Sequence, residues 1–458
     1  VRGTITADLE VRRAFEADAS GLRMVPDAVA RPLEEPDVVE VLRHATAERL
    51  AVTVAGAQSS TTGASITDRG VLLSMRGYDR ILDIDRATRT ARVQCGALVS
   101  DVKRAAAEFG LAWAPDPTSE AESTVGGAIA CNASGPRTLW YGPTRRHVRG
   151  LRVALADGRV LAVRRDAVEK NTAGYPLAQD QVDWFIGSEG TLGIVLEAEL
   201  ALVPRPTAVI GLAVPFATEC AALEFVAAAR ETASLAPRCI EYFDAAAAAI
   251  AEGSDRGLAA AGGNRCLVYT EQVVRDGETR DGVLDGWLAL SETRAALTDD
   301  IQVFEGDASL ARARAMRHMV PATMNERGAQ ARAAGGRKVS TDWAVPYRSL
   351  PAALAAVRAI AEEAGLGPAV TYGHAGNGHP HQNYIACDAM ELDRTEQIVG
   401  RTLRHVVSIG GTIAAEHGIG KLKRRWLPLQ LSPVQLDVMR ALKHALDPSA
   451  LLAPGNIL

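Results

Sequence analysis

Gly187-Ser188-Glu189-Gly190-Thr191-Leu192-Gly193 runs straight into Ile194-Val195, and the reading of this stretch decides the fold. Small residues crowd the loop and a β-branched pair follows it, so a strand begins where a run of closely approachable backbone ends. Two loops of the same make lie upstream. Gly56-Ala57-Gln58-Ser59-Ser60-Thr61-Thr62-Gly63 directly follows the strand-like Val52-Thr53-Val54, and Thr124-Val125-Gly126-Gly127-Ala128-Ile129-Ala130-Cys131-Asn132-Ala133-Ser134-Gly135 carries a glycine pair. Backbone N–H groups and hydroxyls on such loops approach a phosphate closely, and paired glycines admit a flat ring. One Gly/Ser loop by itself reads as a turn; three in the same half of the chain make a candidate nucleotide cradle. The chain contains neither G-x-G-x-x-G nor G-x-x-x-x-G-K-[ST], so a cradle here is neither of the Rossmann nor of the P-loop kind.

Outward from these loops, residues 36–50 have a helical pattern, with Pro36 in the first turn and Val38, Val39, Val41, Leu42 and Ala45 on one face. Val71-Leu72-Leu73 and Arg92-Val93-Gln94 read as strands, 98–109 as a helix stopped at Gly110, and Leu151 to Val163 as a hairpin turning at Asp157-Gly158. One more strand is expected from Ile194 to Val203, closed by Pro204 and Pro206. This half mixes α and β without a regular βαβ rhythm. From 207 onward the texture changes to alanine-rich helical stretches at 221–235, 244–252 and 351–364, and a helix over 432–446 precedes the tail. Pro204 and Pro206 mark the end of a domain over 1–206; a second is expected over 207–415, and a C-terminal segment over 416–458 that returns to the first.

A chain of 458 residues allows two domains or more, and 47% hydrophobic with 23% charged residues is the make-up of a globular protein with sizeable cores. The net charge of -5 offers no electrostatic case for nucleic acid or an anionic membrane. No apolar run approaches the ~18 residues of a spanning helix. Val1-Arg2-Gly3-Thr4 lacks a signal-peptide layout, and a processed leader stays open. Cys95, Cys131, Cys220, Cys239, Cys266 and Cys387 form no C-x-x-C pair, which argues against a zinc ribbon, an iron–sulfur cluster and a dithiol redox pair. They read as reduced, mostly buried thiols, in keeping with a cytoplasmic address.

Four of the nine histidines fall in two short motifs, Tyr372-Gly373-His374-Ala375-Gly376-Asn377-Gly378-His379-Pro380-His381-Gln382-Asn383 and Gly410-Gly411-Thr412-Ile413-Ala414-Ala415-Glu416-His417-Gly418-Ile419-Gly420. Imidazoles packed among glycines suggest a metal or catalytic site, where a lone histidine would read as structural.

The order Asp18-Ala19-Ser20, the 56–63 loop, Pro115-Asp116-Pro117-Thr118-Ser119, the 126–135 loop, Tyr141-Gly142 and then Gly187 to Val195 resembles the FAD-binding half of the vanillyl-alcohol-oxidase family. The C-terminal motifs extend the resemblance over essentially the whole chain. The branch it resembles is that of the FAD-linked D-2-hydroxy-acid dehydrogenases: D-lactate dehydrogenase, the flavin subunit of glycolate oxidase and D-2-hydroxyglutarate dehydrogenase. The resemblance implies an α+β fold: an FAD domain of two small subdomains, and a cap domain with an antiparallel sheet flanked by helices. It implies FAD contacts from Gly56, Ala57, Gln58, Ser59, Ser60, Thr61, Gly63, Pro117, Thr118, Gly126, Gly127, Asn132, Ser134, Gly135, Gly190, Gly193 and Ile194. The first loop departs from the family in having Gln58, Ser59 and Ser60 where glycines are usual, and it holds no histidine, so FAD is expected without a covalent bond.

By the same resemblance His374, His381 and Glu416 are metal ligands, His417 is the catalytic base, and Arg317, Lys338 and Asn383 contact substrate. Asn377 and His379 depart from the commonest motif, which has Asp and Asn there, and Pro321 stands where the hydroxyglutarate enzymes tend to have threonine. In the tail, Ala453 and Asn456 replace Asn and Lys, which puts a lysine contact to the flavin region in doubt. Two histidines and a carboxylate suit zinc, with manganese and iron open. The activity implied is oxidation of a small, D-lactate-like D-2-hydroxy acid to the 2-oxo acid. The alternatives are the flavin subunit of a multi-subunit complex, a metal-free alcohol or sugar oxidase of the wider family, and a non-catalytic flavin-binding protein. The electron acceptor, a peripheral membrane contact and the oligomeric state, a homodimer included, stay open; nucleic acid is not an expected partner.

Overall fold

A computed structural model describes residues 5–175, 180–253 and 265–458; the N-terminal Val1 to Thr4 lie outside them. The chain divides into two compact units, one of Val1–Gly135, Gly142–Arg205 and Glu416–Leu458, the other of Pro136–Tyr141 and Pro206–Ala415.

Among the described residues the first unit holds two larger sheets and a short two-stranded pair. One has the strand order Ile5–Thr6, Ala28–Ala30, Val71–Ser74, Val52–Ala55, parallel except at the Ile5–Thr6 edge. The helix Glu35–Glu48 covers it, opened by a reciprocal cap between Glu34 and Asp37 and closed at left-handed Arg49. It buries Val38, Val41, Leu42 and Ala45, while Val39 is half-buried. The other sheet is antiparallel, in the order Ile81–Asp85, Thr90–Gln94, Ile194–Ala201, Val148–Ala154, Val160–Arg164. The strand expected from Ile194 to Val203 is broken: Leu202 N–H bonds to Arg89 O, and Val203–Pro204 pairs instead with Leu111–Ala112. Near the C-terminus the helix Pro433–Leu446 starts on a Ser432/Gln435 capping box, and the tail then docks on the strand after it: Val52 N–H bonds to Leu451 O and Ala453 N–H to Val52 O. Leu452 thereby enters the main apolar core of this unit.

The second unit is built on one seven-stranded antiparallel sheet, in the order Gln302–Glu305, Val209–Phe216, Cys266–Val273, Pro237–Phe243, Val370–His374, His379–Asp388, Gly335–Ser340. The period of two along each strand sends its residues to two different worlds. Toward one face, Phe216 meets Phe225 of the helix Glu219–Glu231, which meets Trp287 of Arg280–Thr293. On the same face Val339 and Tyr384 pack with Ala361 and Ile398 of the helices Leu350–Glu363 and Ala389–Ser408. The other face is covered by Ala245–Gly253 and by the long helix Gly306–Ala331, whose Leu310, Ala313, Met316, Val320 and Met324 meet Tyr269, Phe304 and Tyr372. The part of this face beyond that apolar cluster is charged.

Among the described residues no helix is long and apolar enough to cross a membrane. The six cysteines are free: Cys95, Cys239 and Cys266 are buried, Cys131 half-buried, and Cys220 and Cys387 exposed.

Candidate active site

The hairpin Val370–His374/His379–Asp388 sets its residues in facing pairs: His374 opposite His379, Tyr372 opposite His381, Val370 opposite Asn383. Facing residues of an antiparallel pair share a face, so three imidazoles and one amide line up on the charged side of the sheet. Gly373 makes this crowding tolerable: its φ is +133°, and a Cβ there would stand 2.8 Å from His381 Cδ2. The ring centroids of His379 and His381 are 4.6 Å apart, and those of His374 lie 5.3 and 5.2 Å from them. One ring nitrogen from each of the three lies within 4.8 Å of the others, and all three side chains are buried.

Each neighbour of this trio fixes something. On the adjoining strand Glu241, buried, takes His374 Nδ1 at 2.6 Å and Arg317 Nε at 2.6 Å. Burial works to raise the Glu241 carboxyl, but His374 and Arg317 overcome it and hold it at about 2. A carboxylate accepts from Nδ1–H, so the His374 lone pair sits on Nε2. Arg317 Nη2, a donor 3.4 Å from that nitrogen, is at the long end of a hydrogen bond and leaves the lone pair open to a stronger Lewis acid. Across the trio, Asp342 Oδ1 stands 3.0 Å from His379 Nε2. Three imidazole nitrogens, two of the rings also bonded to a carboxylate, are a donor set that fits a divalent transition metal.

Asn383 is 1% exposed, and neither Nδ2 nor Oδ1 of its side chain has a hydrogen-bond partner among the described residues. An amide buried with both ends unmade costs about 1–3 kcal/mol per lost bond, and a polar ligand removes that cost. Lys338, on the edge strand, donates to Asn325 of the helix Gly306–Ala331; burial pushes its ammonium down to about 8. A second buried cluster lies on the same sheet: Glu271 accepts from Arg137 Nε at 3.0 Å, Arg238 Nε at 2.6 Å and Tyr269 OH at 2.9 Å. Glu416 and His417 belong to the first unit, with His417 Nε2 3.4 Å from Glu416 Oε1.

In the first unit the three small-residue loops converge. A Cβ on Gly56 would fall 2.2 Å from Thr124 Oγ1, so the first loop meets the second at backbone distance. Thr124 in turn caps the helix Val125–Cys131 by accepting from Gly127 N–H. Gly187 N–H and Glu189 N–H bond to Ile129 O and Ala130 O, which ties the third loop to the second. Some residues expected to hold the cofactor are engaged inside these loops. Gln58 donates to Phe15 O, Ser60 accepts from Thr62 N–H and Ala64 N–H, and Asn132 ends its helix and accepts from Arg145 N–H. The Glu189 carboxylate receives the N–H groups of Ile419 and Gly420, and Asn456 donates to Ala64 O and Glu189 O while accepting from Lys421. The asparagine that replaces the tail lysine is thus a tie between loops.

A profile described as "FAD linked oxidases, C-terminal domain" matches residues 205–457, and one described as "FAD binding domain" matches 26–164. This chain belongs to the FAD-linked oxidases. Among relatives, the glycolate oxidase subunit GlcD of Bacillus subtilis is 31% identical over 97% of this chain and 92% of its own length. D-2-hydroxyglutarate dehydrogenase of Xanthomonas citri pv. viticola is 31% identical over 94% and 89%, and D-lactate dehydrogenase of Anaerostipes hadrus 29% over 98% and 93%. A solved alkyldihydroxyacetonephosphate synthase shares the fold at TM-score 0.71 and 18% identity, covering 98% of this chain and 83% of that one. As an FAD-linked oxidase the chain is an oxidoreductase whose loops at 56–63 and 124–135 fall within the matched FAD-binding domain.

The sequence reading singled out His374, His381, Asn383, Arg317 and Lys338, and all five lie in the second unit. It passed over Glu241, Asp342 and the Glu271 cluster. A signal was present: Glu241 sits in Cys239-Ile240-Glu241-Tyr242-Phe243, and Glu271 in Val268-Tyr269-Thr270-Glu271, carboxylates in otherwise strand-forming runs.

Proposed function

We propose that this FAD-linked oxidase converts a small D-2-hydroxy acid, D-lactate-like, to the 2-oxo acid with the help of a divalent metal, zinc by preference. The observation that carries the reading is Asn383, a buried amide with no partner among the described residues, on the same strand face as His379 and His381. In this reading FAD is held without a covalent bond by the three loops of the first unit. His374, His381 and Glu416 are the metal ligands of this reading. Glu416 follows directly on Ala415, whose N–H is fixed to Asp342 O at 2.8 Å.

When bound, the flavin accepts the hydride from the substrate Cα, and the cation makes the substrate hydroxyl more acidic. The chain does the rest. Asn383 and Lys338 grip the substrate carboxylate, and Arg317, which is paired with Glu241 through Nε, adds its positive charge. Glu241 keeps His374 in the one tautomer that offers Nε2. His417, half-buried, takes the hydroxyl proton as general base.

The test is anaerobic bleaching of the flavin by single acids, each in D- and L-form. Reduction by one D-acid, lost together with bound metal in His374→Ala, is the expected result. A yellow protein that no 2-hydroxy acid bleaches overturns the substrate, and full turnover in a metal-stripped protein overturns the metal. A second reading, the flavin subunit of a larger complex, draws on the relative named as a glycolate oxidase subunit. Turnover of the purified chain with an artificial dye, but with no acceptor of its own, would favour it.

A further inference from the structure

We propose that His379 is a third imidazole ligand of the metal, so that this chain holds its cation through His374, His379 and His381. The inference rests on the metal reading above and extends it to a residue where the family motif has asparagine.

His379 is built like a ligand. It shares the strand face of His381, two residues on, and faces His374 across the hairpin. Its ring is the nearest to that of His381, at 4.6 Å between centroids, and a nitrogen of each ring falls within 4.8 Å of the others. Ligand nitrogens around one transition-metal ion, each about 2.0–2.1 Å from it, stand closer still, so a small inward turn of the rings suffices.

The second argument is tautomeric. Asp342 Oδ1 lies 3.0 Å from His379 Nε2, so Nε2 carries the proton and the lone pair is on Nδ1. Glu241 does the same to His374 through the opposite nitrogen, Oε1 to Nδ1 at 2.6 Å. Both rings therefore have a carboxylate on one nitrogen and a lone pair on the other, as metal-binding histidines commonly do. The backbone around Asp342 is tied down on both sides. Thr341 N–H bonds to Gln382 O, Ala344 pairs with Thr412, and Trp343 Nε1 donates to Gln382 Oε1 at 3.1 Å. A merely structural histidine would need no such counterpart to the Glu241–His374 pair.

The chemistry that follows is selectivity. Three imidazoles favour zinc, cobalt, nickel or copper over manganese and magnesium, which prefer oxygen.

The test uses the FAD-loaded full chain, stripped with a chelator and titrated with Zn2+ or Co2+ against a chromophoric competitor. Flavin content and far-UV circular dichroism report the fold of each variant. His379→Asn restores the family's residue. It is expected to weaken zinc about 100-fold or more, beyond the 10–100-fold of an outer-shell change, and to alter the visible bands of bound Co2+. Asp342→Asn should weaken zinc by about 10–100-fold, with a smaller change in those bands. His379→Asn should also narrow the preference for Zn2+ over Mn2+. Unchanged zinc affinity and an unchanged Co2+ spectrum in folded His379→Asn would overturn the third ligand while leaving the metal site standing. A wild-type chain that binds neither ion overturns both.

Discussion

The loops of the first unit and the sheet face of the second both present polar groups, but they are made from different parts of the chain. In the first unit closeness is achieved by leaving side chains out: Gly56 lies where any Cβ would strike Thr124, and the loops are laced by backbone bonds such as Glu189 N–H to Ala130 O. In the second unit rigidity comes from charge. Glu241, Glu271 and Arg238 on the sheet, with Arg137 and Arg317 packed against it, are all largely removed from water. Backbone that is close-packed tolerates no added atom, whereas a buried ion tolerates no lost partner.

The largest expected effect tests the charged side. Glu241→Ala strands the Arg317 guanidinium in the interior, and unfolding in urea should show a loss of about 3–5 kcal/mol. A cost near that of a surface substitution would mean that the sheet face is not held by its ion pairs.

Acid offers a graded version. Burial works to raise the Glu271 carboxyl, but Arg137 and Arg238 hold it at about 2, below its ordinary 4.5. The unfolded chain therefore binds this proton more readily. The stabilisation is complete above the ordinary value and is lost as pH falls through the folded one. Comparing urea unfolding of wild type and Glu271→Gln at several pH values should show their difference shrinking as pH drops from about 5 to about 3. A constant difference would locate the effect outside the ion pair.

The smallest stability effect belongs to the loops and the sharpest binding effect goes with it. Gly56→Val should cost about 1–3 kcal/mol through overpacking against Thr124, yet leave the purified chain depleted of flavin, read from absorbance per chain. A variant that keeps its full flavin would show that the loops tolerate separation, and the contrast between the units would fail.

Much of this was legible along the chain. The hairpin turning at Asp157-Gly158 and the helix ending just ahead of Gly110 are local patterns, because turns and caps are decided by near neighbours. The break at Leu202 was not legible, since Arg89, more than a hundred residues away, decides it. The resemblance implies that the tail returns to the FAD domain, but not that Val52 receives it.

By itself the sequence determined which residue types stand at two-residue spacing in His379-Pro380-His381-Gln382-Asn383, and so which of them share a face. Only the tertiary structure decided what stands behind them. Glu241 reaches His374 across 133 positions of chain and Asp342 reaches His379 across 37. Strand register between distant segments sets those pairings, and register depends on the burial of whole sheet faces, which no local stretch of sequence encodes.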